Sequence, residues 1–294
     1  MDLLRWAVGD ASVYRIGEVD ASSALDGLIR EFDPAALARA AWLTPHFVDD
    51  VGRLRGLVQA FLVVTADKTI LVDPGVGNHK RRTAVPGWED LQTDFLDRLR
   101  STGVEPDDVD YVVNTHLHFD HVGWNTVLVD GAWRPMFPTA RYVMSADEFR
   151  YWQGRPHREI ADQHAGFADS VLPLHEAGLV DLVADDHVVT DGLRLVPSPG
   201  HTPHHVSVLL ESGEHSAAFL GDVMHHPCQI AYPAWGAVSD FDADQARATR
   251  TQLLEWFADT QTLVIGAHFA DPVAGRIRRA GDTYELVPQL DNRP

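Results

Sequence analysis

Three histidines and one aspartate lie within one short stretch of this 294-residue chain. Residues 116–121 follow the pattern H-x-H-x-D-H and supply His116, His118, Asp120 and His121. Neutral imidazole and carboxylate are the ligands that suit zinc and its first-row neighbours. A sequence of this composition contains the pattern by chance only roughly 0.005 times. The segment therefore predicts a metal site rather than a solvated histidine-rich loop.

The spacing of these four side chains favours two ions over one. His116 and His118 are two residues apart on an extended segment, so they point the same way and can bind the same ion. Asp120 and His121 follow where the backbone turns. We therefore expect the side chains of Asp120 and His121 to point toward a second ion.

Three polar residues in the C-terminal half are candidates to complete the ligand sets. His201 lies in a loop rich in proline and glycine, whereas Asp222 and His268 each follow a buried apolar run. A single histidine or aspartate at the end of a strand is as often structural as functional. Together with the H-x-H-x-D-H segment, however, these three residues predict a site for two ions.

The order of apolar runs indicates the fold class. Runs of β-branched residues alternate with amphipathic runs, which is typical of an α/β layered fold. In the first half, paired strands are predicted at residues 57–65 and 69–73, a helix at residues 91–99, and a strand at residues 109–115. The last of these strands delivers the histidine cluster at its carboxyl end, where ligands commonly bind in α/β sheets.

The second half repeats this plan. Strands are predicted at residues 193–197, 206–211, 216–222 and 262–267, with a helix at residues 244–259. In both halves a strand ends at an aspartate, a helix follows, and the next strand ends at a histidine. We therefore expect two similar βαβ-type halves that face each other, with their polar strand ends converging.

Residues 145–184, between the two halves, differ in composition from the rest of the chain. Aromatic and leucine side chains are spaced irregularly there among alanine, aspartate, glutamate and histidine. This pattern predicts a helical insertion beside the site, broken by Pro156 and Pro173. Because no flexible linker is long enough to separate independent domains, residues 1–294 are predicted to form a single domain.

The composition excludes several kinds of partner. The net charge of −19 argues against a nucleic-acid partner and against docking on an anionic membrane surface. Cys228 is the only cysteine, which excludes an intrachain disulfide and a cysteine-based zinc cluster. We expect Cys228 to be a small buried side chain rather than a reactive thiol. The N-terminal residues lack the pattern of a secretory signal, and a cytoplasmic enzyme is the default expectation.

Residues from about Leu57 to Ile277 resemble the metallo-β-lactamase superfamily. The resemblance is carried by the strand ending in Asp73, the H-x-H-x-D-H segment, the Pro-Gly-His-Thr-Pro loop, the Gly-Asp pair and the last strand-end histidine. The family fold is a four-layer αβ/βα sandwich of two facing sheets with helices outside. The resemblance therefore implies this fold, with the helical insertion added to it.

By this resemblance two divalent ions, expected to be Zn²⁺, would share seven ligands. The first ion would be bound by His116, His118 and His201, the second by Asp120, His121 and His268, and Asp222 would bridge both. Asp73 is not expected to be a ligand. It would either accept a hydrogen bond from a ligand imidazole or cap the turn that follows it, and both roles stay open.

Within the family, Thr115–Gly123 and Ala267–Ile277 are similar to the N-acyl-homoserine lactonases and related organophosphate hydrolases. The implied reaction is hydrolysis of a lactone or another ester by a metal-bridging hydroxide, with Asp120 passing the proton to the leaving alkoxide. His225 takes the place of a tyrosine that some lactonases have three residues after the bridging aspartate. His225 is predicted either to donate a hydrogen bond to a substrate oxygen or to lie in a pocket wall or surface turn.

Other branches and functions fit the sequence less well. His204 and Trp124 replace glycines that are common in the family. The thioesterase branch carries a helical C-terminal domain, but only residues 269–294 follow His268. The alternatives are an iron-dependent oxygenase of sulfur compounds, a hydrolase of phosphotriesters or thioesters, and a binding protein with a vestigial site. We expect a small-molecule substrate. Whether the protein forms a homodimer is left open by the sequence.

Overall fold

The computed structural model of the chain describes residues 3–25, 27–154 and 161–290. The chain divides into two units by its internal contacts. The first unit comprises Met1–Val19 and Val58–Asp185, and the second comprises Asp20–Leu57 and Asp186–Pro294.

Strands and α-helices are numbered along the chain. The strands are β1 (Leu4–Val8), β2 (Ala11–Asp20), β3 (Leu57–Val64), β4 (Thr69–Val72), β5 (Tyr111–Val113), β6 (Thr126–Val129), β7 (Ala132–Pro135), β8 (Arg141–Ser145), β9 (Val180–Val183), β10 (Val188–Thr190), β11 (Leu193–Pro197), β12 (Val206–Ser212), β13 (His215–Phe219), β14 (Leu263–Ile265), β15 (Ala274–Ala280) and β16 (Thr283–Pro288). The α-helices are α1 (Ser22–Leu25), α2 (Pro34–Leu37), α3 (Phe95–Arg100), α4 (Phe119–Val122), α5 (Ala146–Gln153), α6 (Ala161–Ser170), α7 (Leu172–Glu176), α8 (Cys228–Ala231) and α9 (Ala243–Phe257). Short 3₁₀ turns cover Ala41–Leu43, Pro106–Asp108, Gly123–Asn125 and Gly221–Val223.

The first unit contains a seven-stranded sheet in the order β1-β2-β3-β4-β5-β8-β9. The pairs β1–β2 and β3–β4 are antiparallel, and the pairs from β4 to β9 are parallel. Every residue of β3 except Val64 is buried, as expected for a central strand covered on both faces. The predicted pairing of residues 57–65 with residues 69–73 is confirmed, with Phe61 opposite Val72.

The connection from β4 to β5 brings the histidine segment to the carboxyl edge of this sheet. Parallel strands need a crossover, and α3 lies in it with Phe95 and Leu99 buried. The helix predicted at residues 91–99 begins only at Phe95. The backbone N–H of Thr93 donates to Asn78 Oδ1 at 2.8 Å, and Asn78 Nδ2 donates to the Thr93 carbonyl at 3.1 Å. These two hydrogen bonds hold the residues before the helix in a loop.

The second unit contains a seven-stranded sheet whose strands follow chain order from β10 to β16. Its pairs are antiparallel except β13–β14, which is parallel with Ala217 opposite Leu263. Helix α9 forms the crossover and buries Leu253, Leu254 and Phe257. Each unit therefore has the predicted strand–helix–strand arrangement, in which the two strands joined by the helix pair in parallel, β4 with β5 and β13 with β14.

Among the described residues of the segment 145–184 are three helices, α5, α6 and α7, and the strand β9. Ser145 caps α5, because its side chain accepts hydrogen bonds from the N–H groups of Asp147 and Glu148. Near Pro173 the helical segment is divided, as predicted, because α6 ends at Ser170 and α7 begins at Leu172. Pro173 itself lies in the first turn of α7, where a proline removes no helical hydrogen bond. Pro156 lies outside the described residues. The end of the segment is not helical, because β9 pairs in parallel with β8.

Each unit has its own hydrophobic core. In the first unit Leu62, Leu71 and Leu117 belong to one buried cluster, and in the second unit Leu254 and Phe269 belong to another. In the part of the chain that the structure describes, no helix has the length and apolar character needed to cross a membrane.

Candidate metal centre

The H-x-H-x-D-H segment follows β5 in the first unit. His118 is the N-cap residue of α4, and this helix carries Asp120 and His121. His116, His118 and His121 are buried, whereas Asp120 is half-buried. The ring centroid of His116 lies 4.6 Å from that of His118 and 4.2 Å from that of His121. Such close packing of buried imidazoles suits the neutral ring, which is the form that binds metals.

Helices α5 and α6 hold the backbone of this segment. Glu148 Oε1 accepts a hydrogen bond from the N–H of Leu117 at 3.4 Å, and Gln163 Oε1 accepts one from the N–H of Phe119 at 3.0 Å. Gly166 packs so tightly on Phe119 that an added Cβ would lie 2.8 Å from the Phe119 Cβ. The two residues between the candidate ligands are therefore fixed by the helices that follow β8.

Asp73, directly after β4, orients two of the candidate ligands. Its Oδ2 accepts hydrogen bonds from His121 Nδ1 at 3.0 Å and from Thr115 Oγ1 at 2.7 Å, and its Oδ1 accepts one from the N–H of Thr115 at 2.8 Å. Because Thr115 Oγ1 donates its proton to Asp73, it accepts one from His116 Nδ1 at 3.0 Å. Both imidazoles thus carry their proton on Nδ1 and offer Nε2 as the ligand atom. Two roles were left open for Asp73, and the structure shows the first of them. Asp73 accepts a hydrogen bond from the imidazole of a candidate ligand and so orients it.

In the second unit, Asp222 lies against three imidazoles. His201 Nε2 and His225 Nε2 are each 3.3 Å from Asp222 Oδ2, and His268 Nε2 is 3.1 Å from Asp222 Oδ1. All four side chains are buried. The structure thus brings together the three residues of this unit that the sequence marks as ligands, and it adds His225. A carboxylate with imidazole nitrogens at both oxygens has the donor chemistry of a metal-bridging ligand.

The outer nitrogens of two of these imidazoles also have hydrogen-bond partners. His201 Nδ1 donates to Asp240 Oδ1 at 3.2 Å, and His268 Nδ1 donates to the Leu57 carbonyl at 3.0 Å. The remaining nitrogen of each ring, Nε2, faces Asp222. Different partners therefore fix the same tautomer in His201 and His268 as in the histidines of the first unit, with the proton on Nδ1. The Nε2 atoms that this leaves unprotonated are suitable ligands for a divalent metal.

Sequence reasoning missed Asp240. Its Oδ2 accepts a hydrogen bond from the N–H of Ala237 at 2.8 Å, in addition to the contact of Oδ1 with His201. Burial raises the pKa of Asp240, but the hydrogen bonds and other electrostatic interactions of this carboxylate, chiefly those with His201, outweigh burial and leave the pKa below its ordinary value. Asp240 is far from His201 in sequence, and no spacing rule marks it.

His205 is a second residue that sequence reasoning missed. Its Nε2 accepts a hydrogen bond from the N–H of Asp222 at 3.0 Å, and its Nδ1 donates to Ser198 Oγ at 2.9 Å. His205 therefore fixes the backbone of the central carboxylate. The available signal was its place four residues after His201 in the same proline-rich loop.

His225 lies within this cluster and not in a surface turn. Its backbone N–H donates to Gln229 Oε1 at 2.7 Å. Its ring is nearly parallel to that of His268, with 6° between the planes and 5.9 Å between centroids. Burial lowers the pKa of His225 and outweighs the opposing effect of Asp222, so the ring is neutral near pH 7.

The neighbouring His226 has a structural role instead. Its Nε2 donates to the Phe47 carbonyl at 2.8 Å, and its Nδ1 accepts from the N–H of Cys228 at 3.0 Å. Burial lowers the pKa of His226 to about 4. The two hydrogen bonds use both ring nitrogens of the neutral imidazole.

Three other residues singled out in the sequence can be placed as well. Trp124 is buried, where its Nε1 donates to Glu18 Oε1 at 2.7 Å and its ring stacks on Phe95. Cys228 is buried, and burial raises the pKa of its thiol, as expected for an inert cysteine. His204 is half-buried.

The chain belongs to the metallo-beta-lactamase superfamily, whose family model matches residues 53–268. Among curated relatives, the N-acyl homoserine lactonase AiiA of Bacillus thuringiensis subsp. kurstaki is 27% identical over 182 residues. That match covers 58% of this chain and 64% of the lactonase, which is less than two thirds of its length.

Two solved structures are similar over nearly the whole chain. The hydrolase AbOPH of the beta-lactamase superfamily superposes with a TM-score of 0.82 at 22% identity, covering 99% of this chain and 98% of that one. AidC, a dizinc quorum-quenching lactonase in complex with a product, has a TM-score of 0.77 at 20% identity, covering 99% and 98%. At these identities the superpositions show the fold.

These comparisons confirm the predicted family and the predicted α/β fold class, the metallo-β-lactamase sandwich. The histidine and aspartate clusters of a chain with this fold imply binding of a divalent metal. Membership of this superfamily supports the predicted class of metal-dependent hydrolase.

Proposed function

We propose that the protein is a dinuclear metal-dependent hydrolase that opens a lactone or cleaves another ester of a small molecule. The observation that carries the proposal is the Asp222 carboxylate, whose two oxygens lie 3.1–3.3 Å from imidazole Nε2 atoms. The lactonases among its relatives and structural neighbours favour a lactone or ester over other substrates of the family.

The proposed ligands divide into two sets, with Asp222 common to both. One ion would be bound by His116, His118, His201 and Asp222, and the other by Asp120, His121, His268 and Asp222. All donors are imidazole nitrogens or carboxylate oxygens, which suit zinc, and we propose two zinc ions. The dizinc composition given for AidC supports this choice.

The chain's own groups would orient the site and move the proton. When bound, two divalent ions supply a nucleophile from water near neutral pH and polarise the carbonyl or phosphoryl oxygen under attack. Asp73 and Asp240 keep the Nε2 atoms of their imidazole partners directed inward. The side chain of Asp120 is 17% exposed, against 2% for His121, so Asp120 can reach a substrate. We assign Asp120 the transfer of the water proton to the alkoxide that leaves when the ester C–O bond breaks.

His225 receives no proton-transfer role in this proposal, although the sequence predicts it as a catalytic residue. Its Nε2 points at Asp222 Oδ2, 3.3 Å away. The nitrogen that would donate a hydrogen bond to a substrate oxygen therefore faces a proposed metal ligand.

The test combines metal analysis with a panel of substrates. The zinc-loaded protein is assayed against lactones, aryl esters and phosphotriesters in parallel, before and after chelation and after zinc is restored. We expect two zinc ions per chain and hydrolysis of a lactone or ester that chelation abolishes and zinc restores. Asp120→Asn should be folded but inactive, whereas Asp282→Asn, in an exposed turn, should retain activity.

Two results would contradict the proposal. One is hydrolysis that persists after complete metal removal, and the other is a zinc-loaded protein that hydrolyses none of the three substrate classes. Oxygen uptake that depends on iron would support the sulfur-compound oxygenase instead.

A further inference from the structure

A charged residue, Arg250, lies on the buried face of α9. It takes a place in the same helical stripe as Ala246, Leu253, Leu254 and Phe257, which are all buried. The side chain of Arg250 is fully buried as well. A buried charge is costly unless it is paired and hydrogen-bonded, so the partners of Arg250 account for its place on this face.

Three backbone carbonyls anchor the guanidinium group. Its Nε donates to the Val223 carbonyl at 2.9 Å, and its Nη1 donates to the Pro233 carbonyl at 2.9 Å and to the Trp235 carbonyl at 2.8 Å. These carbonyls lie at the two ends of the segment 223–235, which directly follows Asp222. The planar fork of an arginine can contact both ends at once, which the single nitrogen of a lysine cannot do. The guanidinium is therefore held in one orientation.

The remaining nitrogen of the guanidinium pairs with Asp240. Arg250 Nη2 lies 3.7 Å from Asp240 Oδ2, and neither side chain is exposed. The other oxygen of this carboxylate, Oδ1, accepts the hydrogen bond from His201 Nδ1 at 3.2 Å. Arg250, Asp240 and His201 thus form a row of buried groups that ends at a proposed metal ligand.

We propose that Arg250 is a positioning residue for the metal centre, which holds the Asp240 carboxylate in place so that Asp240 orients the imidazole of His201. The inference rests on the proposed dinuclear site, because His201 is one of its ligands. It adds to that site a residue that contacts no ligand side chain directly and acts through a ligand's hydrogen-bond partner.

Two other contacts of α9 support this role. Thr249 Oγ1 donates to the Pro199 carbonyl at 2.6 Å. Gly200 packs so closely on the helix that an added Cβ would lie 2.3 Å from the backbone nitrogen of Ala246. Residues 199 and 200 directly precede His201. Helix α9 therefore fixes the backbone before His201, and through Arg250 and Asp240 it also fixes the imidazole.

The test compares metal binding in variants of the full-length protein. Affinities for both Zn²⁺ ions are measured by competition with a chromophoric chelator, and the visible absorption bands of the Co²⁺-substituted protein report the geometry of the ligands. Arg250→Met removes the charge and the donors, whereas Arg250→Lys keeps the charge without the fork. Arg247→Met is the matched control, because Arg247 lies on the same helix with its side chain 51% exposed.

We expect Arg250→Met and Arg250→Lys to lose about tenfold in affinity for the ion assigned to His201, which is the lower end of the effect of removing a group behind a ligating histidine. The Co²⁺ bands should change in both, and Arg247→Met should match the wild type. Wild-type affinity in either folded Arg250 variant would overturn the proposal. Circular dichroism of the metal-free proteins checks folding, and Arg250→Lys decides the question if Arg250→Met does not fold.

A double-mutant cycle separates this role from a purely structural one. If Arg250 acts through Asp240, the affinity loss of Arg250→Lys combined with Asp240→Asn should be smaller than the product of the two single losses, by about fivefold or more. A combined loss equal to that product would overturn the proposal, because the two residues would then act independently.

Failure of this inference can be distinguished from failure of the proposed function. If the wild-type protein binds no Zn²⁺, the dinuclear hydrolase is wrong. If it binds two Zn²⁺ ions with affinities that both Arg250 variants leave unchanged, only the positioning role of Arg250 is wrong.

Discussion

Replacement of Asp73 by asparagine would show whether the hydrogen bonds behind the imidazoles control metal binding. The substitution preserves the shape of the side chain but removes its charge and replaces one oxygen by an NH₂ group. Both oxygens of Asp73 accept hydrogen bonds, Oδ1 from Thr115 N–H and Oδ2 from Thr115 Oγ1 and His121 Nδ1. An amide in either orientation therefore points its NH₂ group at a donor, and the wild-type network cannot re-form.

The expected loss can be estimated from these contacts. Removing the partner of a ligating histidine typically costs about 10–100-fold in metal affinity, or about 1.4–2.8 kcal/mol. Asp73→Asn should lie toward the upper end of this range. It disturbs His121 directly and His116 through Thr115, and a buried donor left without an acceptor costs about 1–3 kcal/mol.

The assay is a Zn²⁺ titration against a chromophoric chelator, accompanied by thermal unfolding of the metal-free protein. Asp240→Asn is the matched comparison, because Asp240 accepts its hydrogen bond from His201. We expect Asp73→Asn to weaken the binding of both ions, because His116 and His121 are assigned to different ions. Asp240→Asn should weaken mainly the binding of the ion assigned to His201. If Asp73→Asn bound both Zn²⁺ ions within about twofold of wild-type affinity, against the expected 10–100-fold loss, the orientation argument would be refuted.

Three further predictions concern stability and reactivity. Gly166→Ala should lower the free energy of unfolding by about 1–3 kcal/mol in urea titrations, because its new Cβ would lie 2.8 Å from the Phe119 Cβ; an unchanged midpoint would contradict the close contact. The pKa of His226 is lowered from 6.5 to about 4 by burial. The unfolded chain therefore takes up a proton at higher pH than the folded chain, and stability should be lost as pH falls from 6.5 to 4. Relative to His226→Gln, the loss should be about 3 kcal/mol in urea titrations, and parallel pH curves for the two proteins would argue against it. The buried thiol of Cys228, whose pKa burial raises, should react with a thiol reagent only after unfolding; rapid labelling of the native protein would show that the thiol is accessible.

The positions of the central strands and the identity of the candidate ligands were predictable because each leaves a local signal in the sequence. The apolar run of β3 predicts a covered central strand, and the strand is buried along almost its whole length. Metal binding restricts residue type and spacing together, and this restriction makes residues 116–121 conspicuous. The parallel pairing of β13 with β14 followed from the helix between them, since such strands need a crossover.

The partners behind the ligands were not predictable in the same way. The contact of Asp240 with His201 depends on how the loop before α9 folds back, and nothing near either residue in sequence encodes it. The acceptor for His268 is the Leu57 carbonyl, a backbone atom that every residue possesses. The start of α3 was misplaced for a similar reason, because a side-chain contact between Thr93 and Asn78 overrides the helical periodicity.

The contacts of α5 and α6 with the histidine segment limit how this protein can be remodelled. Glu148 and Gln163 accept hydrogen bonds from the backbone N–H groups of Leu117 and Phe119. Phe119 packs so closely on Gly166 that no side chain fits at position 166. In a chimaera, exchange of residues 145–184 for those of a relative would therefore also change the residues that hold the backbone of the histidine segment. Recombination at this segment is compatible with an intact centre only if the donor sequence brings equivalent acceptors at positions 148 and 163 and a glycine at position 166.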